Sequence, residues 1–192
     1  MHPVEAFLRD VDAAWVGDGR RIRLPLIGSA ALVLQTTYNR GTKDSDILET
    51  AEVAAVRKAL LAIGGHGTRL HEQHRIYLEV VGAAVPFLPP DPVWVRLDLG
   101  LRHFDIELLN VTDVVVTKLK RFHADDRDDV QAMVAGDHVE HRALVARVRE
   151  VVERLWFDAR SDQLPRFVGN LHTVERDWFG VPETHIELPE ER

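Results

Sequence analysis

Val4, Phe7, Val11 and Trp15 recur at helical spacing and predict an opening amphipathic helix. The apolar run Ile22 to Ile27 predicts a short buried strand. Pro25 lies inside it and cannot donate to a ladder, so the strand is expected to start just after Pro25 or to meet a bulge or edge there. Gly28-Ser29 follows, and Ala30 to Leu34 reads as the first turns of a helix. The polar stretch Thr36 to Lys43 leads to a predicted strand, Asp44-Ser-Asp-Ile-Leu48. Val53, Val56, Leu60 and Ile63 share one helical face that stops at Gly64-Gly65. Three more strands are predicted, Ile76 to Val81, Val93 to Leu99 and Phe104 to Leu109, separated by the Pro-rich Pro86 to Pro92 and by Gly100 to His103. They are expected to complete the sheet as a meander. Helices follow over Asp113 to Phe122, Asp125 to Val134 and His141 to Phe157, with Asn110 or Thr112 placed to cap the first, although the β-branched triplet Val114 to Val116 argues against helix there. Asp158 to Arg192 reads as one helix and a loose tail.

This order predicts an α/β (α+β) architecture, a mixed β-sheet flanked by helices with a C-terminal helical extension. The expected divisions are a core over 1–109, a helical part over 110–157 that completes the site, and a C-terminal helix and tail over 158–192. At 192 residues and 45% hydrophobic, the chain can close one sizeable core but hardly two enzyme domains. The absence of cysteine excludes disulfides, thiolate zinc sites and cysteine nucleophiles. With 24 Lys plus Arg against 31 Asp plus Glu the formal charge is -7, so no global positive field draws in a polyanion, and such a partner must be held by a local patch. Glu5, Arg9, Asp10 and Asp12 interrupt the first helix, and no apolar run reaches the length of a membrane span, so a cytoplasmic location without membrane contact is expected.

The chemistry gathers at three places. Gly28-Ser29 lies between a strand and a helix, where a glycine admits a ligand to the backbone and a helix N-terminus offers N–H groups to phosphate. Asp44 and Asp46, two apart on a strand, project from one face; held close they repel, and the pair asks for a proton or a cation such as Mg²⁺. Glu79 is a carboxylate inside the apolar run Ile76 to Val81, where it needs a cation, a hydrogen-bonding partner or a solvent-facing side. Asp98 in Val95-Arg-Leu-Asp-Leu99 could fill the same role.

In that order these residues resemble the nucleotidyltransferase superfamily typified by DNA polymerase beta: a Gly-Ser turn, an Asp-x-Asp pair on the next strand and a third acidic residue on a later strand. Gly28-Ser-Ala-Ala-Leu32 with Gly41-Thr-Lys-Asp-Ser-Asp-Ile47 is similar to a small bacterial branch related to the nucleotidyltransferase toxins of type IV toxin-antitoxin and abortive-infection systems. The likeness continues in Lys118-Leu-Lys-Arg121 and Asp126-Arg-Asp-Asp129, where toxin-like members place a helical Lys and a later Asp. Ser45 departs from the apolar residue common at its position.

The resemblance implies a nucleotidyltransferase fold and an enzyme moving NMP from an NTP to an acceptor: tRNA, a protein or a small molecule such as an aminoglycoside. It further implies Mg²⁺ or Mn²⁺ on Asp44, Asp46 and Glu79, a phosphate cradle at Gly28 and Ser29, and cationic help from Lys118 with Lys43 or Arg121. Asp126 and Asp129, on one helical face, would orient Lys118 or the acceptor. A cognate antitoxin is an implied partner. The competing reading is a non-catalytic scaffold of the same fold acting through a protein partner. For a nucleic-acid acceptor, Arg20, Arg21 and Arg23 or Lys118 to Arg121 could form the local patch. His71-Glu-Gln-His74 and His138-Val-Glu-His141 lack the i,i+4 spacing of a zinc-protease helix and read as turn or helix-face residues. Trp15, Trp94, Trp156 and Trp178 read as core or interface anchors.

Overall fold

The computed structural model describes residues 2–17 and 19–189; positions 190–192 of the expected tail lie outside them. The chain forms two compact units. One runs through Val85 and resumes over Trp94–Asn110; the other comprises Pro86–Val93 and everything from Val111 onward.

The first unit is a five-stranded mixed sheet with helices. Its elements are α1 (Pro3–Ala14), β1 (Ile22–Leu26), α2 (Gly28–Gln35), β2 (Asp44–Leu48), α3 (Ala51–Gly64), α4 (Arg69–His74), β3 (Tyr77–Val81), β4 (Trp94–Leu97) and β5 (Phe104–Leu109). The strand order is β3-β2-β1-β5-β4, with β2–β3 and β1–β5 parallel and β1–β2 and β4–β5 antiparallel. The expected meander is therefore corrected. The crossover through α3 and α4 makes β3 parallel to β2 at one edge, while β4 pairs with β5 at the other.

Alternation sets the two faces. Ser45, Ile47, Leu78 and Val80 point into the core with Leu24, Leu26, Ile106 and Leu108, against α2 and α3. Asp44, Asp46, Tyr77 and Glu79 project from the opposite face. Pro25 sits inside the central strand rather than at a bulge or edge. The N–H of Ile27 donates to Asp46, so the nitrogen of Pro25, two residues earlier, faces β2 just beyond the last ladder pair, Leu26↔Ile47, where no donor is required. Asp12, in α1, accepts the N–H groups of Arg102 and His103, and Trp15 packs edge-on against Phe104 at 5.3 Å.

The second unit is helical: α5 (Val111–Lys118), α6 (Ala124–Ala135), α7 (His141–Leu155), a 3₁₀ turn at Ser161–Gln163, α8 (Leu164–Val174) and a π-turn at Glu175–Phe179. Val114 to Val116 are helical against their propensity because all three are fully buried, which outweighs a few tenths of a kcal/mol each (roughly). The predicted helix to Phe122 ends earlier, and Phe122 takes a left-handed φ of 52°. Pro86–Val93 belongs here: Phe87 packs on Phe167 at 5.2 Å, and Arg154 donates to the carbonyls of Leu88 and Pro89. Asp113, wholly buried, accepts a bidentate pair from Arg147 and the N–H of Val93.

The expected loose tail is also corrected. Glu175, wholly buried, accepts from the Thr184 N–H and hydroxyl and pairs with His141, and Ile186 is 7% exposed. Among the described residues no helix is long and apolar enough to cross a membrane.

Candidate active site

Asp44 and Asp46 leave β2 on one face, and parallel pairing sets Glu79 of β3 directly beside Asp46 and Tyr77 beside Asp44. One carboxylate oxygen from each of Asp44, Asp46 and Glu79 lies within 4.8 Å of the others. The two aspartates are half-buried and Glu79 is exposed. Asp98 follows the opposite edge strand, where it accepts the N–H of Gly100.

Gly28, the first residue of α2, borders the same carboxylates. Its φ is +66°, and a Cβ built on it would lie 2.5 Å from Asp46 Oδ2, so the close approach itself requires glycine. Ser29 follows, half-buried, at the N-terminus of α2, the positive end of the helix dipole. Lys43 is exposed just ahead of β2, and its carbonyl accepts the N–H of Tyr77.

Two residues at this site escaped the sequence reading. The Thr42 hydroxyl lies 2.9 Å from the Asp44 carbonyl and 3.1 Å from Asp44 Oδ1, holding that carboxylate from two residues away. The signal in the sequence is a Thr close to a strand start, since Ser and Thr hydroxyls recurrently bond neighbouring backbone groups. Tyr77 reports the field of the site. Burial pushes its phenol upward, and Asp44, Glu79 and Asp46 push it further.

All-oxygen donors converging in this way fit a hard divalent cation, Mg²⁺ or Mn²⁺, better than a soft one. The missing side chain at Gly28 lets the start of α2 approach Asp46 directly, which sets that helix N-terminus beside the carboxylates.

The family model described as nucleotidyltransferase of unknown function (DUF6036) matches residues 8–164. The chain belongs to that family. No curated protein and no solved structure matches it significantly. Its mixed sheet with flanking helices is consistent with a nucleotidyltransferase fold.

The remaining expected residues of this DUF6036 member lie in the second unit. The Lys118 ammonium, 7% exposed, meets Asp129 at 2.7 Å and Asp126 at 3.2 Å; the exposed Arg121 approaches Asp126 at 3.6 Å. Asp126 also accepts the N–H of His123, which ties it to the start of α6. Of the basic residues considered for a polyanion, Arg21 is engaged by Asp105 and by main-chain carbonyls, and Arg23 by Glu107. The Asp105 carboxyl is held low chiefly by the Arg21 hydrogen bonds. His71 accepts the Gly67 N–H, His74 meets Asp10 at 2.7 Å, and His141 pairs with Glu175.

Proposed function

We propose that this chain is a divalent-metal-dependent nucleotidyltransferase that moves an NMP group from an NTP to an acceptor hydroxyl. The observation that carries the reading is the convergence of Asp44, Asp46 and Glu79 beside the glycine that opens α2. Asp44, Asp46 and Glu79 would hold Mg²⁺ or Mn²⁺, which supplies neutralisation of phosphate charge. Gly28 and Ser29 at the α2 N-terminus bind the outgoing phosphates through N–H groups and a hydroxyl. Thr42 fixes the rotamer of Asp44.

The acceptor oxygen bonds to the α-phosphorus as the bond from that phosphorus to the bridging oxygen breaks. Pyrophosphate leaves with that electron pair, and a carboxylate oxygen of the trio takes the hydroxyl proton. Lys43, exposed just ahead of β2, is assigned to the phosphate charge in the same reading. The motif order of the toxin-like branch further suggests a role opposed by an antitoxin, for which growth arrest on expression, relieved by Asp44→Ala, is the test.

Calorimetric titration of the four NTPs, with Mg²⁺ and with chelator, into wild type and the Asp44→Ala/Asp46→Ala variant tests the main reading. Metal-dependent binding lost in the variant supports it. No binding by folded wild type, or binding unaffected in the variant, overturns it in favour of a non-catalytic scaffold of this fold.

A further inference from the structure

Two aromatic residues follow each other where α7 ends. Trp156 is half-buried, and Phe157 is 85% exposed. A single exposed ring is ordinary on a protein surface, but this one stands on the wall of a groove of about 1080 Å³ within the second unit. Trp156, Pro165, Leu188 and Pro189 line the same groove, so the ring belongs to a shared apolar lining.

Both stretches that form the groove are held by named contacts. The turn after α7 is fixed by Asp158, whose carboxylate accepts Arg160 Nε at 2.8 Å, the other guanidinium edge at 2.9 Å and the Arg160 N–H. The stretch Glu187 to Pro189 follows Thr184, pinned on Glu175, and Ile186, which is buried. The lining is thus organised before a ligand arrives, which lowers the ordering cost of binding.

The charge of the groove has one sign. Asp158, Asp162 and Glu187 line it, and among the described residues no Lys, Arg or His does. Asp158 is matched by Arg160, whereas Asp162 and Glu187 are exposed and enter no ion pair among the described residues. Aromatic faces and carboxylates both attract cations, so the groove is complementary to positive charge set beside apolar surface. Its volume exceeds the range of roughly 300–1,000 Å³ typical of compact small-molecule sites, which favours a length of polypeptide.

We propose that this groove docks a basic segment of a partner protein. An apolar side chain of the segment packs on Trp156 and Phe157, and flanking Arg or Lys side chains meet Asp162 and Glu187. The inference draws on neither the carboxylate trio of the first unit nor the transfer reaction.

The test follows the fluorescence anisotropy of a short labelled peptide of arginine, leucine and tryptophan as the full chain is added at low salt. Two control peptides of the same length carry glutamate in place of arginine, or serine in place of leucine and tryptophan. Wild type is expected to bind the first peptide about tenfold or more tightly than either control, and to lose affinity as salt rises. Phe157→Ala and Asp162→Lys/Glu187→Lys are each expected to weaken binding about tenfold or more. All three positions are exposed, so the melting midpoints of these variants should match wild type. Asp44→Ala/Asp46→Ala should bind the peptide as wild type does; binding lost there places the peptide at the carboxylate trio and overturns the assignment. No binding by wild type, equal binding of the serine control, or affinity unchanged in either groove variant overturns it too. Spermidine bound as tightly as the peptide would give the groove to a small organic cation instead, and self-association of wild type that Phe157→Ala abolishes would give it to a second copy of this chain.

Discussion

Gly28 and Asp46 adjoin so closely that a Cβ on the glycine would stand 2.5 Å from the aspartate's Oδ2. The glycine also holds φ +66°, which L side chains rarely adopt. Gly28→Ala should therefore lower stability by about 1–2 kcal/mol and push the Asp46 carboxylate aside. Thermal melts in chelator and in Mn²⁺ check both effects: the midpoint falls in chelator, and the rise on adding metal shrinks or disappears.

Asp46 and Glu79 are direct neighbours across a parallel ladder, and like charges so placed repel. Asp46→Asn should stabilise the metal-free protein by about 0.5–1 kcal/mol. The same change should remove the stabilisation that Mn²⁺ gives wild type. An unchanged Mn²⁺ response would show that the ion is not held by this carboxylate.

Thr42 acts through Asp44. Thr42→Val should weaken Mg²⁺-dependent NTP binding about fivefold to tenfold by freeing the Asp44 rotamer, and Thr42→Ser should restore most of it. Calorimetry on the two variants decides between a positioning role and simple packing, which valine would preserve.

The Lys118 ammonium lies between Asp126 and Asp129, with all three side chains at least nine-tenths buried. Lys118→Met would leave two buried carboxylates without their shared cation, a loss of about 3–5 kcal/mol. Chemical denaturation measures it. A loss below about 1 kcal/mol would mean that the carboxylates find water or protons easily.

Burial pushes the Glu175 carboxyl up, but the Thr184 hydroxyl, the His141 ring and the Thr184 N–H outweigh it, and its pKa lies below the ordinary value. A depressed carboxylate contributes stability above its unfolded pKa and loses it as pH falls through the folded one. The midpoint should therefore decline below about pH 4.5. In Glu175→Gln that part of the acid dependence should be absent, as melts across the acid range would show.

The carboxylate trio was legible because strand alternation is local: Asp44 and Asp46 share a face whatever their strand pairs with. That Glu79 joins them depended on which strand lies beside β2, a fact set by the α3–α4 crossover and invisible to periodicity. The same gap hid the division of β3 and β4 between opposite edges. Pro25 was legible as a missing donor, but not as one tolerated at the centre of the sheet, because only the end of the β1–β2 ladder shows that no donor is needed. Burial reversed the reading of Val114 to Val116. His141 and Glu175 stand far apart in sequence, and no spacing rule joins them.

The mixed topology imposes an order of events on synthesis. The β2–β3 ladder closes from one contiguous stretch, so the three carboxylates can assemble early. The other side of β1 cannot pair until Phe104 to Leu108 have followed, because Ile22 waits for Phe104 and Leu26 for Leu108. Until then an apolar strand has an open edge, and such high contact order slows folding and invites association. The nascent chain thus passes through a stage with its acidic centre assembled and its central strand unsatisfied, the stage at which a chaperone would find the most to hold.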